Sequence, residues 1–92
     1  MDRQRLFAQL RLHEGVERKP YQCSAGYLTI GVGRNIEERG LSDDEIDYIL
    51  NNDVNIATDE LVRTFDWYAD LDEVRQRVVV DMVFNLGMPR FQ

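Results

Sequence analysis

From Ile46 to Phe65 the apolar residues Ile46, Leu50, Val54, Ala57, Leu61 and Phe65 fall on one helical stripe, and no proline interrupts them. Ser42 and Glu45 form a capping-box pattern just ahead of that stripe, preceded by Gly40 and Leu41. The spacing predicts one long helix from Asp43 to near Thr64, about five or six turns at 3.6 residues per turn. A helix of that length takes up a large part of a 92-residue chain, and the remaining elements must be arranged around it. The chain is long enough for one domain and no more, and a domain this small has a thin stability margin.

Ahead of the long helix two segments can be read. Leu6, Phe7 and Leu10 recur at helical spacing between Arg3 and Glu14, with Asp2 placed to cap the start and Gly15 to end the helix. From Val16 to Asn35 the pattern changes. Pro20 is hostile to a helix interior, and Ser24-Ala25-Gly26 reads as a turn. Leu28, Ile30 and Val32 alternate with Tyr27, Thr29 and Gly31, which is strand periodicity. A hairpin or a three-stranded sheet follows, and a sheet this small needs a helix to cover it.

Behind the long helix, a further helix is expected from Asp70 or Asp72 to Leu86, with Gly87 as its stop. Leu71, Val74, Val78, Met82 and Leu86 make its stripe, and Val79, Val80, Val83 and Phe84 widen the stripe almost all the way round. A helix apolar on most sides is buried on most sides. Only Met88 to Gln92 follow it, so the chain stops before the elements expected to cover this helix. A self-association, or pairing with a missing C-terminal segment, through Val79, Val83 and Phe84 is the expectation that follows.

Charge and composition exclude several classes. The net charge is −6, opposite to what phosphate neutralisation requires, so no nucleic-acid partner is expected. The same sign gives no help in approaching an anionic cell wall. No apolar run is long enough for a membrane span. The polar Asp2, Arg3, Gln4 and Arg5 leave no signal-peptide core after Met1, which places synthesis in a cytoplasm. Cys23 is the single cysteine and His13 the single histidine, so no internal disulfide and no Cys/His metal cluster is expected, and no cofactor is called for. Gly31-Val32-Gly33 lacks the third glycine and the following helix of a dinucleotide loop. Asp43, Asp44, Glu45 and Asp47 lack calcium-loop spacing and suit a helix N-terminus. Trp67 and Tyr68 are of a kind that stacks on sugar rings, although packing at a helix junction accounts for them more simply.

Three residues stand out chemically. Glu14 lies at the C-terminus of the first helix, where the helix dipole disfavours a carboxylate and so favours the protonated form that a general acid needs. The plainer account is a surface glutamate in a last turn. Cys23 and Thr29 flank the predicted hairpin turn. A thiol of lowered pKa is a nucleophile or a water contact, and a threonine hydroxyl can hold a water. Taken singly, each is equally well a small filler or an ordinary strand residue.

The order Glu14, eight residues, Cys23, five residues, Thr29 resembles the Glu, Asp/Cys, Thr catalytic pattern of the phage-type lysozymes, muramidases of the endolysin kind. The surrounding words agree. "LRLHEGVERKPY" (Leu10 to Tyr21), "GYLTIGVGRN" (Gly26 to Asn35), "GLSDDEIDYILNNDV" (Gly40 to Val54) and "LDEVRQRVVVDMVFNLG" (Leu71 to Gly87) are similar, in order, to four segments of that family. The resemblance implies an α+β, lysozyme-like fold. In it a small antiparallel sheet lobe over about 1–41 is joined by a long helix over about 42–65 to an incomplete helical lobe over about 66–92. It implies a peptidoglycan glycan strand as substrate and hydrolysis of the β-1,4 bond between N-acetylmuramic acid and N-acetylglucosamine, leading to bacterial lysis after release to the wall. Glu14 would protonate the leaving oxygen, while Cys23 and Thr29 would place the attacking water. Carboxylate separation decides between inversion and retention.

The same resemblance implies cleft positions for Arg34, Phe84 and Asn85, with core packing the equal alternative for Phe84. Cys23 stands where many members carry Asp, and Arg34 where a His often follows the strand. A neutral thiol is a poor base. A catalytically weak or inactive lysozyme-derived module that binds glycan or protein is therefore the rival reading, and a remnant of a longer enzyme is the third.

Overall fold

The computed structural model describes residues 1–87. The chain divides into two compact units, 1–42 and 43–92.

Unit 1 begins with helix α1, Arg3–Glu14. The Asp2 side chain accepts the Arg5 N–H at 3.1 Å and caps its start. Gly15, at φ 79°, ends it, its N–H donating to the Arg11 carbonyl. Three strands follow: β1, Glu17–Gln22; β2, Leu28–Gly31; and β3, Arg34–Asn35. They form one antiparallel sheet in the order β1-β2-β3. Pro20 lies inside β1, which a sequence reading treats as a break. It is tolerated because β1 is an edge strand and its register with β2 slips between Glu17 and Tyr21.

The sheet does not bury the face that its alternation suggests. Leu28 is 37% exposed and Ile30 is half-buried, whereas Thr29, on the opposite face, is 3% exposed. Among the described residues of unit 1, Thr29 is the buried one, so this unit is held by hydrogen bonds more than by an apolar core. Beyond the strand ladder, the Leu28 carbonyl accepts from the Ile36 and Glu37 N–H groups. The Glu37 carboxylate in turn accepts the Leu28 N–H at 3.2 Å.

Unit 2 begins with α2, Asp43–Thr64, the span that the uninterrupted stripe predicts. A short 3-10 turn, Tyr68–Asp70, leads to α3, Glu73–Leu86. The Asp72 side chain accepts the Arg75 N–H at 2.8 Å and fixes where α3 starts. The core of this unit is Ala57 and Leu61 of α2, Tyr68 of the turn and Val83 of α3, with Phe65, Leu71, Val79 and Val80 packed against it. Leu61 has no exposed surface. Only the C-terminal half of the α2 stripe is used, and Ile46 and Leu50 are exposed.

The stripe expected on α3 is corrected by the structure. Val74, Val78, Met82 and Leu86 are exposed, and it is Val79, Val80 and Val83 that pack against the core. A helix apolar nearly all round does not encode which face a single neighbour covers. Of the residues expected at a docking face, Val83 is buried and Val79 is packed against the core, which leaves Phe84 exposed. No helix among the described residues is long and apolar enough to cross a membrane.

This core makes a direct prediction. Leu61→Ala is expected to cost about 2–5 kcal/mol, as a large-to-small change in a closed site does. Val74→Ala, on the exposed face of α3, is expected to stay within about 0.5 kcal/mol of the parent. Urea unfolding followed by circular dichroism measures both, and equal losses would contradict the assigned core.

Candidate active site

The three chemically prominent residues, Glu14, Cys23 and Thr29, all lie in unit 1. α1 carries Glu14 as its last residue, and Gly15 then turns the chain into β1. The Glu14 side chain is exposed. Its carboxylate lies over Gly33. A Cβ built on Gly33 would come within 3.3 Å of Glu14 Oε2, and Gly33 sits at φ +74°, where a side chain is strained as well. The turn between β2 and β3 thus meets the carboxylate with bare backbone. The pattern Gly31-Val32-Gly33 holds this information, although the sequence offers no reason to connect it to Glu14.

Cys23 and Thr29 meet around the β1–β2 turn. The Cys23 N–H donates to the Tyr27 carbonyl at 2.9 Å, and the Gly26 N–H donates to the Cys23 carbonyl at 2.8 Å. The Thr29 hydroxyl donates to the same Tyr27 carbonyl at 2.9 Å. Cys23 is half-buried. The Tyr27 backbone N–H first, that of Ala25 next and the Thr29 hydroxyl third hold negative charge on the sulfur and bring the thiol below its ordinary range, with burial opposing them. Turns that aim successive N–H groups at one point are suited to anions, a carboxylate as readily as a thiolate.

The remaining candidates have other surroundings. Arg34 is half-buried, and its guanidinium donates to the Gly40 carbonyl at 3.2 Å, fastening the segment that follows β3. Phe84 and Asn85 belong to α3 in unit 2. Phe84 lines an open groove of about 420 Å³ within that unit, and Asn85 is exposed. Tyr68 is buried in the unit 2 core, and the Trp67 ring packs on Phe65 with centroids 4.9 Å apart, as the packing account of these aromatics requires. Glu37 escaped the sequence reading. It staples the start of β2 through the Leu28 N–H, and only the fold reveals that pairing.

The family model of the phage lysozymes matches residues 11–92, a span that holds Glu14, Cys23 and Thr29, the sheet of unit 1 and all of unit 2. The chain belongs to the phage lysozyme family. A family of lysozymes is one of glycoside hydrolases acting on peptidoglycan, and the α+β mixture of three helices with a three-stranded antiparallel sheet agrees with a lysozyme-like fold.

The hydrogen bonds around the sulfur can be tested without substrate. In the folded chain Cys23 is expected to react with iodoacetamide at lower pH than in the urea-unfolded chain, because the thiolate is the reacting form. Thr29→Val should move the folded profile back toward the unfolded one. The sign for stability follows. A thiol lowered on folding stabilises the fold fully above its unfolded value, and that contribution is lost as pH falls through its folded value. Superimposed folded and unfolded profiles would contradict the contacts assigned to the sulfur.

Proposed function

We propose that this chain is a muramidase that hydrolyses the β-1,4 bond between N-acetylmuramic acid and N-acetylglucosamine in bacterial peptidoglycan, with Glu14 as its general acid. The observation that carries this reading is the exposed Glu14 carboxylate lying over Gly33, in the same unit as the Cys23–Thr29 pair and within the span matched by the phage lysozyme model. An acid that serves a polymeric substrate must be reachable from solvent, and the Glu14 side chain is exposed.

In the proposed reaction the bond between C1 of N-acetylmuramic acid and the bridging oxygen breaks. Glu14 gives its proton to that oxygen, which leaves as a hydroxyl. A water forms the new bond to C1 and passes its proton to the Cys23 sulfur, whose thiolate form the Tyr27 and Ala25 N–H groups favour. Cys23 touches the water from the open side, and Thr29, enclosed beneath it, orients the sulfur. The donors that hold a thiolate there would hold a carboxylate too, so Cys at this position is compatible with the Asp expected from the family pattern. Arg34 acts through the backbone that it ties, and Phe84 and Asn85 are proposed to contact the glycan. Lysis of bacterial cells from the wall side is the proposed role, and no cofactor enters the chemistry.

The rival reading is a module that holds glycan or another protein without cutting. The thiol at Cys23 favours it, since Glu14 is then the single carboxylate among the three prominent residues.

Clearing of purified peptidoglycan suspensions tests the proposal. The parent chain is expected to lower turbidity, and Glu14→Gln to reduce the rate by about 10²–10⁴-fold, the usual contribution of a general acid. Cys23→Asp should keep clearing, and Cys23→Ala should lose most of it. Sedimentation of the chain with peptidoglycan, without clearing by the parent at any concentration, would instead favour the binding module.

A further inference from the structure

The Tyr27 carbonyl that serves both Cys23 and Thr29 belongs to the same peptide unit as the Leu28 N–H. A peptide unit is planar and trans, so a group that fixes its N–H also fixes the direction of its carbonyl. The Cys23 N–H and the Thr29 hydroxyl donate to the Tyr27 carbonyl, each at 2.9 Å. On the other side the Leu28 N–H donates to Glu37 Oε1 at 3.2 Å. The unit is therefore held at both ends. The bond to the carboxylate is charge-assisted, and it polarises the unit so that the carbonyl accepts more strongly.

Glu37 can anchor that unit because its own segment is tied down. The Ile36 and Glu37 N–H groups donate to the Leu28 carbonyl at 3.0 and 3.2 Å. Both backbone groups of Leu28 thus bond to Glu37, one to its side chain and one to its main chain. The Asn35 side chain accepts the Glu38 N–H at 3.1 Å, and the Arg39 and Gly40 N–H groups donate back to the Asn35 and Ile36 carbonyls. Arg34 closes the segment through the Gly40 carbonyl at 3.2 Å.

We propose that Glu37 is a positioning residue of the candidate site. It orients the Tyr27–Leu28 peptide unit, and with it the carbonyl that Cys23 and Thr29 share. Its part in catalysis rests on the muramidase reading, whereas its hold on the Cys23 thiol does not.

Alkylation of the full chain by iodoacetamide, at one pH below the midpoint of the parent's profile, tests this. Glu37→Ala should slow the reaction of Cys23 by about twofold to tenfold, the range that one hydrogen bond carries. Glu37→Gln keeps an oxygen able to accept the Leu28 N–H and should restore the rate to within about twofold of the parent. The sign separates positioning from charge. Loss of a nearby negative charge by itself favours the thiolate and speeds alkylation. Glu38→Ala, which removes the neighbouring carboxylate, should therefore not slow it. Circular dichroism confirms that each variant keeps its fold. In the parent the Leu28 amide should exchange its hydrogen more slowly than in the urea-unfolded chain, a measurement that needs no variant. An unprotected Leu28 amide overturns the proposal. So does a Glu37→Ala chain that alkylates at the parent rate or faster, a Glu37→Gln chain as slow as Glu37→Ala, or a Glu38→Ala chain slowed as much as either. A parent that clears no peptidoglycan would overturn the muramidase reading alone, and the alkylation rates would still decide the role of Glu37.

Discussion

The hydrogen-bonded knot of Cys23, Tyr27 and Thr29 is the constraint on which unit 1 depends. The Tyr27 carbonyl accepts from the Cys23 N–H and from the Thr29 hydroxyl, and the buried threonine is thereby satisfied. With no fully buried apolar side chain among its described residues, unit 1 has few other ways to define its turn. The Tyr27 and Ala25 N–H groups of the same turn, with the Thr29 hydroxyl, bear on the Cys23 sulfur. Structure and candidate chemistry therefore share one turn, and a change that loosens it alters the sulfur as well.

Unit 2 is built on the opposite principle. Leu61, Ala57, Tyr68 and Val83 close a small apolar core, and most of the apolar surface of both helices is left outside it. The two helices present exposed Ile46, Ile49, Leu50, Val74 and Val78 beside many carboxylates. Surface of that kind is normally covered in the working protein. The charge of the unit restricts what can cover it, since an acidic partner would be repelled.

Helix positions were the most legible part of this fold. The uninterrupted stripe located α2, Asp2 and Gly15 bounded α1, and of the two starts open for α3, Asp70 and Asp72, the structure uses Asp72. Packing was less legible. On α3 the apolar residues surround the axis, so choosing Val79, Val80 and Val83 over Val74, Val78 and Met82 depends on where α2 lies, which no local pattern contains. On β2 the alternation pointed to Leu28 and Ile30, but the buried residue is Thr29, whose partners are supplied by a turn two residues away. Within the site, the spacing of Glu14, Cys23 and Thr29 was readable through the family resemblance. The placement of Glu14 over Gly33 and the convergence of the Ala25 and Tyr27 N–H groups on the sulfur required the folded backbone.

In the proposed reaction Glu14 delivers a proton to the bond following N-acetylmuramic acid. The most direct measurement is mass spectrometry of the fragments released from purified peptidoglycan, with the reducing-end sugar identified after borohydride reduction. Fragments that end in reduced N-acetylmuramic acid are expected with the parent chain and none with Glu14→Gln. Fragments ending in reduced N-acetylglucosamine, or an unchanged yield from Glu14→Gln, would contradict it.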